Sequence, residues 1–262
     1  VGEGMDRFFV EPGQLNLGDK TLYIEGEDVK HISKVLRYDQ GDEIEVCDSN
    51  KHEYLCRIES IDKTRINLSI VEEIDINRES RVRVSLYQGL PKSTKMEIIL
   101  QKLTEAGVDE IVLVNTRRSV VNIKGDKADK KFDRWERIIY EAAKQCKRGL
   151  IPKLRGILSF EEALEDMGKN DINICPYEDE KSLGIKEALQ TDLVKNIIDK
   201  KDEVRVGIFI GPEGGFTQEE NDMVKEAGIA SVTMGPRIFR TETASIVATA
   251  ITLYELGDIG GS

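Results

Sequence analysis

The chain is poor in the residues that hold small cross-linked or metal-bound folds together. Its 262 residues include four cysteines, Cys47, Cys56, Cys146 and Cys175, and no two of them form a CxxC pair. His31 and His52 are the only histidines, so no metal site is expected, and scattered cysteines of this kind read as reduced, buried thiols of an intracellular protein. Long hydrophobic runs are absent too: no window approaches the ~18 consecutive apolar residues of a membrane-spanning helix. The N-terminus, Val1-Gly2-Glu3-Gly4-Met5-Asp6, lacks a basic segment followed by an apolar one. Met5 reads as the native start, Val1 to Gly4 are set aside from the fold reading, and a cytoplasmic location without membrane contact is expected.

Excess positive charge is also missing. Lys and Arg number 38 against 49 Asp and Glu, a net charge of −11. That balance alone argues against nucleic acid, but phosphate contacts are local and screened over ~10 Å. The positives do cluster, at Lys30, His31, Lys34 and Arg37, at Lys92 and Lys95, at Arg117 and Arg118, at Lys144, Lys147 and Arg148, and at Arg237 and Arg240. Much of the acid lies elsewhere, in 159–166, 178–180, 199–203 and 219–226. RNA binding is therefore compatible with the charge pattern.

The organisation is α/β in two parts. Residues 1–75 carry short strand candidates at 7–10, 21–24, 43–47, 53–61 and 65–71, with a turn at Asp48-Ser49-Asn50-Lys51 and one short helix at 28–36. Short strands at this spacing suggest a small β-barrel. Residues 72–81 are polar with little periodicity and read as a linker. Over 76–262, strands at 82–87, 111–114, 172–175 and 204–210 alternate with helices at 95–105, 134–146, 159–167, 217–227 and 241–256. Near-continuous apolar strands interleaved with helices imply a mostly parallel sheet covered on both faces.

Ligands of open α/β sheets bind in loops at the carboxyl ends of the strands. After 206–210 comes Gly211-Pro212-Glu213-Gly214-Gly215-Phe216. It matches neither a dinucleotide nor a P-loop fingerprint, and the charge of Glu213 would repel a pyrophosphate while suiting ribose hydroxyls or a cation. A ligand loop and a sharp strand-to-helix turn remain equally open for it. Thr217 and Glu220 form a capping-box pattern for the next helix. The loop after 231–234 reads Gly235-Pro236-Arg237-Ile238-Phe239-Arg240-Thr241-Glu242-Thr243-Ala244. Two arginines just ahead of a helix N-terminus oppose its dipole, and a broken local rule marks a functional candidate, Arg240 above all. The helix that follows is apolar on nearly every face, so it either threads the core or packs on a partner subunit.

These two loops, at this separation, resemble the RsmE family of 16S rRNA uridine-N3 methyltransferases. Met5-Asp6-Arg7-Phe8-Phe9, His31-Ile32-Ser33-Lys34-Val35-Leu36-Arg37, the 95–107 block and Glu141-Ala142-Ala143-Lys144-Gln145 resemble its other signatures, in order along the whole chain. Phe239 stands where leucine is commonest, and Lys144 where an acidic or polar residue is expected. The resemblance implies an N-terminal PUA-like barrel over 1–75 that binds RNA, and a SPOUT methyltransferase domain with a trefoil knot over 76–262. It implies a homodimer acting on 16S rRNA or the 30S particle with S-adenosylmethionine as cofactor. The cofactor cradle then falls on Pro176, Tyr177, Gly211, Pro212, Glu213, Gly214, Gly215, Met234, Gly235, Ile238, Phe239, Arg240, Thr241, Thr243 and Ala244.

Uracil N3 is a poor nucleophile until its proton is lost. The expected catalytic set is Arg240, with Arg7 as a second donor to a uracil carbonyl oxygen, and Glu213 or Glu242 orienting cofactor or arginine. Arg7, Lys30, Lys34, Arg37, Lys92, Lys95, Arg117 and Arg118 are the RNA-binding candidates. Two other readings are a SPOUT enzyme acting on another RNA such as tRNA, and a non-catalytic dimeric RNA-binding protein.

Overall fold

A computed structural model describes residues 5–119 and 126–260. The chain divides into two compact units, residues 1–79 with 143–151 and residues 80–142 with 152–262.

The first unit is a curled six-stranded sheet. Its strands are β1 (Arg7–Phe9), β2 (Leu15–Asn16), β3 (Thr21–Glu25), β4 (Glu43–Cys47), β5 (Glu53–Ile61) and β6 (Arg65–Ile74). They lie in the order β1-β4-β5-β6-β3-β2, with β1 parallel to β4 and every other pair antiparallel. The alternation in β6 sets the register: Ile66 and Leu68 point inward opposite Ile24 and Leu22, because a one-residue slip would expose both. Between β3 and β4, helix α1 (Glu27–Lys30) widens into a π-helical turn over His31–Leu36 and stops at Arg37, whose φ is +60°. Val29 and Ile32 from this turn join Phe8, Ile44, Cys56 and Ile58 in the core.

A single cut near residue 75 misses one feature. Residues 143–151 belong with the first unit, and the expected linker contains the residue that holds them. Glu79 is buried and accepts from Arg148 Nη2 at 2.6 Å and from the amides of Gly149 and Leu150 at 2.8 and 3.1 Å. Burial alone would raise its pKa, but Arg148 and the two amides outweigh burial and lower it. Arg7 is likewise not on the surface. It is 2% exposed, with its guanidinium 3.0 Å from Glu45 and 2.5 Å from Glu53 and donating to the carbonyls of Lys147 and Arg148 at 3.0 and 2.8 Å. Arg78 also pairs with Glu53. Lys144 and Lys147, read as part of a basic cluster, pair with Asp28 and Glu45. These cations pair with acidic residues inside the first unit and are buried or half-buried there.

The second unit is a parallel sheet with helices. In chain order it contains β7 (Val82–Gly89), α2 (Ser93–Ala106), β8 (Glu110–Asn115), α3 (Asp126–Gln145, its last residues counted with the first unit), β9 (Lys153–Ser159) and α4 (Phe160–Met167). β10 (Ile172–Pro176), α5 (Ile185–Leu189), α6 (Asp192–Lys200), β11 (Val204–Ile210), α7 (Gln218–Glu226), β12 (Ala230–Val232) and α8 (Thr241–Glu255) follow. The strand order is β12-β10-β11-β7-β8-β9, parallel throughout. The connection leaving β7 runs to one side of the sheet and that leaving β11 to the other. The carboxyl ends of these two neighbours therefore form the switch point where a ligand crevice is expected.

Helix α8 packs against α2, α5, β7 and β11. Ala244, Ser245, Ala248, Thr252 and Leu253 are buried. Its opposite face is only partly covered by the described residues: Ile246, Val247 and Ala250 are half-buried, and Tyr254 is 63% exposed. Of the two sequence-level alternatives, threading the core describes one face of α8 only. Among the described residues no helix is long and apolar enough to cross a membrane.

Candidate active site

The site forms where β7 and β11 end. Gly89, the last residue of β7, lies under the Gly211-Pro212 peptide so closely that a Cβ there would stand 2.6 Å from Pro212 Cδ. Beyond Pro212 the loop reverses in a turn closed by Gly215 N–H to Pro212 O at 2.9 Å, with Gly215 at φ +66°, where a side chain would be strained. Phe216 then buries its ring against Phe209 and Phe160, with centroids 4.8 and 5.9 Å away. Thr217 caps α7: its hydroxyl accepts from Glu220 N, and Glu220 reaches back to Thr217 N at 2.8 Å. The glycine loop is thus a braced structure on both sides.

The second loop runs from Thr233 to the start of α8. Thr233 is tied to Leu183 O and Ile185 N at 2.8 and 3.0 Å, and Gly235 takes φ +106°. The two loops meet at Thr241, whose hydroxyl donates to Gly211 O at 2.6 Å. Buried Gln88 of β7 donates to Thr241 Oγ1 at 3.0 Å. A third wall comes from the segment after β10. Tyr177 N–H donates to Val232 O at 3.0 Å, and Glu180 accepts from the Ser182 hydroxyl and amide at 2.5 and 2.9 Å. Those two bonds and Lys225 lower the Glu180 pKa to about 2.

Together the three segments enclose a hollow of about 680 Å³, within the range of small-ligand sites. Of the cofactor candidates, Pro176, Tyr177, Gly211, Pro212, Glu213, Gly215, Met234, Gly235, Ile238, Phe239, Arg240, Thr241 and Ala244 line it. Gly214 and Thr243 do not line it: Gly214 faces Arg118, whose guanidinium donates to Gly214 O at 2.7 Å, and Thr243 is half-buried in the first turn of α8. Glu178, Glu180 and Lys181 line it as well. The mixture of backbone edges, apolar side chains and carboxylates, with Gly211 packed so closely that a Cβ would meet the Gly215 backbone at 3.1 Å, fits a nucleoside bearing a positively charged sulfur.

Electrostatics at the rim are organised by Lys95. Its Nζ is 3.1 Å from Glu242 and 3.8 Å from Glu213, and Glu213 also accepts from Lys92 N at 3.0 Å. Burial on its own would raise the Glu242 pKa. It is outweighed by the residue's own amide, by Lys95 and by the nearby Arg240 charge, so the group is lowered. Arg240 precedes α8, is exposed, and among the described residues its guanidinium makes no hydrogen bond. Its donors are available to a substrate. Of the RNA candidates, Lys30, Lys34, Arg37 and Lys92 are exposed. Arg117 and Arg118 are exposed too, though Arg118 also braces the glycine loop at Gly214 O and Arg117 meets α7 through its amide to Glu220 at 2.8 Å and its side chain 3.4 Å from Glu219. Lys95 is part-buried against Glu242 and Glu213. Gln88 escaped the sequence reading; its only signal was an amide side chain ending an apolar strand.

Comparison with known proteins also finds two domains, with 143–151 falling inside the second. A family model described as an RNA methyltransferase domain matches residues 78–253, and one described as an RNA methyltransferase PUA domain matches residues 24–71. The ribosomal RNA small subunit methyltransferase E of Bacillus subtilis is 34% identical over 252 residues, 96% of this chain and 97% of its own. The crystal structure of a ribosomal RNA small subunit methyltransferase E from Neisseria gonorrhoeae bound to S-adenosylmethionine superimposes with a TM-score of 0.82. It is 28% identical, over 98% of this chain and all of that one. A Legionella pneumophila structure with S-adenosylmethionine as bound cofactor also reaches 0.82, at 29% identity over 95% and 97% of the two chains. The chain belongs to the ribosomal RNA small subunit methyltransferase E family, with a PUA-like first unit and an α/β methyltransferase second unit.

Proposed function

We propose that this protein methylates N3 of a uridine in the 16S rRNA of the small ribosomal subunit, in the cytoplasm and as a homodimer, using S-adenosylmethionine. The observation that carries this reading is the meeting of the 211–216 and 234–244 loops around one hollow, with the unengaged guanidinium of Arg240 at its rim. The names of the relatives supply the substrate class, and the family resemblance supplies the uridine nitrogen. When bound, S-adenosylmethionine supplies an electrophilic methyl group on a sulfonium centre.

The chain's own work is positioning and charge. Backbone at Gly211, Gly215 and Gly235, with Met234 and Tyr177, would hold the cofactor, and Glu178 and Glu180 offer carboxylates to its hydroxyls or its positive charge. Arg240 would donate to a uracil carbonyl oxygen and stabilise the anion left as N3 loses its proton. Glu242, balanced by Lys95, sets the field in which Arg240 sits; a carboxylate with a lowered pKa is a weak base, so it orients and does not take the proton. N3 is reached only when the base leaves its pair or stack. The basic turn Lys30, Lys34 and Arg37 is the phosphate-binding candidate of the first unit, replacing Arg7 in that role. The partly covered apolar face of α8 supports a partner subunit there.

The test is methyl transfer from labelled S-adenosylmethionine to naked tRNA, free 16S rRNA and assembled 30S particles, with mapping of the product nucleotide. Label on a uridine N3 of 16S rRNA, free or in particles, is expected. Label on tRNA alone would replace the substrate, and no transfer with no thermal shift by S-adenosylmethionine or S-adenosylhomocysteine would make this an RNA-binding protein without catalysis.

A further inference from the structure

Gln88 is 0% exposed and does not line the hollow, yet it joins the two loops that form it. Its Nε2 donates to Thr241 Oγ1 at 3.0 Å and to Gly89 O at 2.9 Å, and lies 3.4 Å from Gly211 O. Its Oε1 accepts from the Ser245 hydroxyl at 2.6 Å. Thr241 in turn donates its own proton to Gly211 O at 2.6 Å. The chain of donors therefore runs from the end of β7, through the first turn of α8, to the first peptide of the glycine loop.

Only an amide of this length satisfies the arrangement. Both N–H groups are used, one on Thr241 and one on Gly89, and the carbonyl oxygen takes the Ser245 proton. A leucine would leave the Ser245 hydroxyl and the Gly89 carbonyl without this partner, and would free Thr241 to turn away from Gly211. Shape works beside the hydrogen bonds. Gly89, the next residue, leaves room for Gly211-Pro212 to lie against the strand. The last two residues of β7 thus seat the loop, Gly89 by lacking a side chain and Gln88 by fixing a peptide.

We propose that Gln88 is a positioning residue for cofactor binding, which sets the separation of the 211–216 loop and the start of α8 before any ligand arrives. The inference rests on reading the hollow as the S-adenosylmethionine site. Preorganisation of this kind changes binding more than the chemical step, because the bound cofactor holds the loops once it is in place.

The test is calorimetric titration of S-adenosylmethionine, with steady-state kinetics on the methyl acceptor, for the whole chain and for Gln88→Leu. The expected result is a Kd and a cofactor KM about tenfold higher, the scale of removing one or two hydrogen bonds, with kcat at saturating cofactor little changed. A folded Gln88→Leu protein with unchanged Kd overturns the proposal, as does one whose kcat falls while KM stays constant. Where Gln88→Leu does not fold, Ser245→Ala decides. It removes the partner of the amide oxygen and, with it, the hydroxyl's contact with Thr241 O at 2.9 Å, while leaving the Gln88 amide in place, so a raised Kd supports the role and an unchanged Kd removes it. If the unaltered protein does not bind S-adenosylmethionine, the reading of the hollow has failed, and that result is distinct from failure at Gln88.

Discussion

The Lys95 ammonium stands 3.1 Å from the Glu242 carboxylate, linking the first turn of α2 to the first turn of α8 at the rim of the hollow. Lys95→Met leaves Glu242 without its ion-pair partner, with only the more distant Arg240 charge in its place. Because the Glu242 pKa is lowered in the folded protein, its contribution to stability is complete above the ordinary carboxylate value near ~4.3 and is lost as the pH falls through the lowered one. The pair is partly exposed, so the variant should lose up to about 1 kcal/mol at neutral pH. That gap should close in acid, as read from urea melts at both ends of the range. A gap independent of pH would mean that Lys95 acts by packing alone.

Arg240→Ala should slow methyl transfer about a hundredfold or more, since removing one transition-state donor costs roughly 3–4 kcal/mol, while the melting temperature stays near that of the unaltered chain. Arg240 is exposed, so the fold does not depend on it. Arg240→Lys should recover little, because a single ammonium cannot reproduce the planar fork. Single-turnover rates near those of the parent protein would remove Arg240 from the mechanism.

Arg7→Ala tests the opposite assignment. Removing the cation leaves Glu45 with Lys147 and Glu53 with Arg78 as their remaining cations, both carboxylates almost fully buried, and breaking a buried pair costs about 3–5 kcal/mol. Denaturant melts of the variant should show that loss. A variant as stable as its parent but weaker on RNA would return Arg7 to the RNA-facing set.

The glycine loop and the arginine loop were legible in the sequence because Gly211-Pro212 and Gly235-Pro236 break apolar strands at sites where backbone must turn sharply. Arg7 was misread because its acidic partners lie 38 and 46 residues away, and charge in sequence carries no mark of burial. Glu79 was hidden in a polar stretch for the same reason. β9 escaped because it is an edge strand of the parallel sheet with no alternation in its burial, so neither period was visible. Gln88 shows the limit most clearly. A polar residue ending an apolar strand reads as the strand's exit to solvent until the partners that surround it are known.

The partly covered face of α8 predicts association. Val247 is half-buried and Tyr254 63% exposed, and an apolar helix stripe left in water is disfavoured by roughly 25 cal/mol per Å². Val247→Asp with Tyr254→Asp should give a monomer by sedimentation equilibrium, and the parent chain should give a dimer. A monomeric parent chain would exclude this face as an interface.

The basic π-helical turn makes a prediction that separates phosphate binding from mere surface charge. Lys30, Lys34 and Arg37 are exposed, and among the described residues their side chains make no ion pairs. Replacing all three by Ala should weaken 16S rRNA binding and flatten the dependence of log affinity on log salt. The slope should fall by about 0.7–0.9 for each phosphate that the variant leaves unneutralised. Affinity for S-adenosylmethionine should stay constant, because the hollow is built wholly from residues of the second unit. Equal slopes for parent and triple variant would place the phosphate-binding surface elsewhere, with exposed Lys92 the next residue to replace.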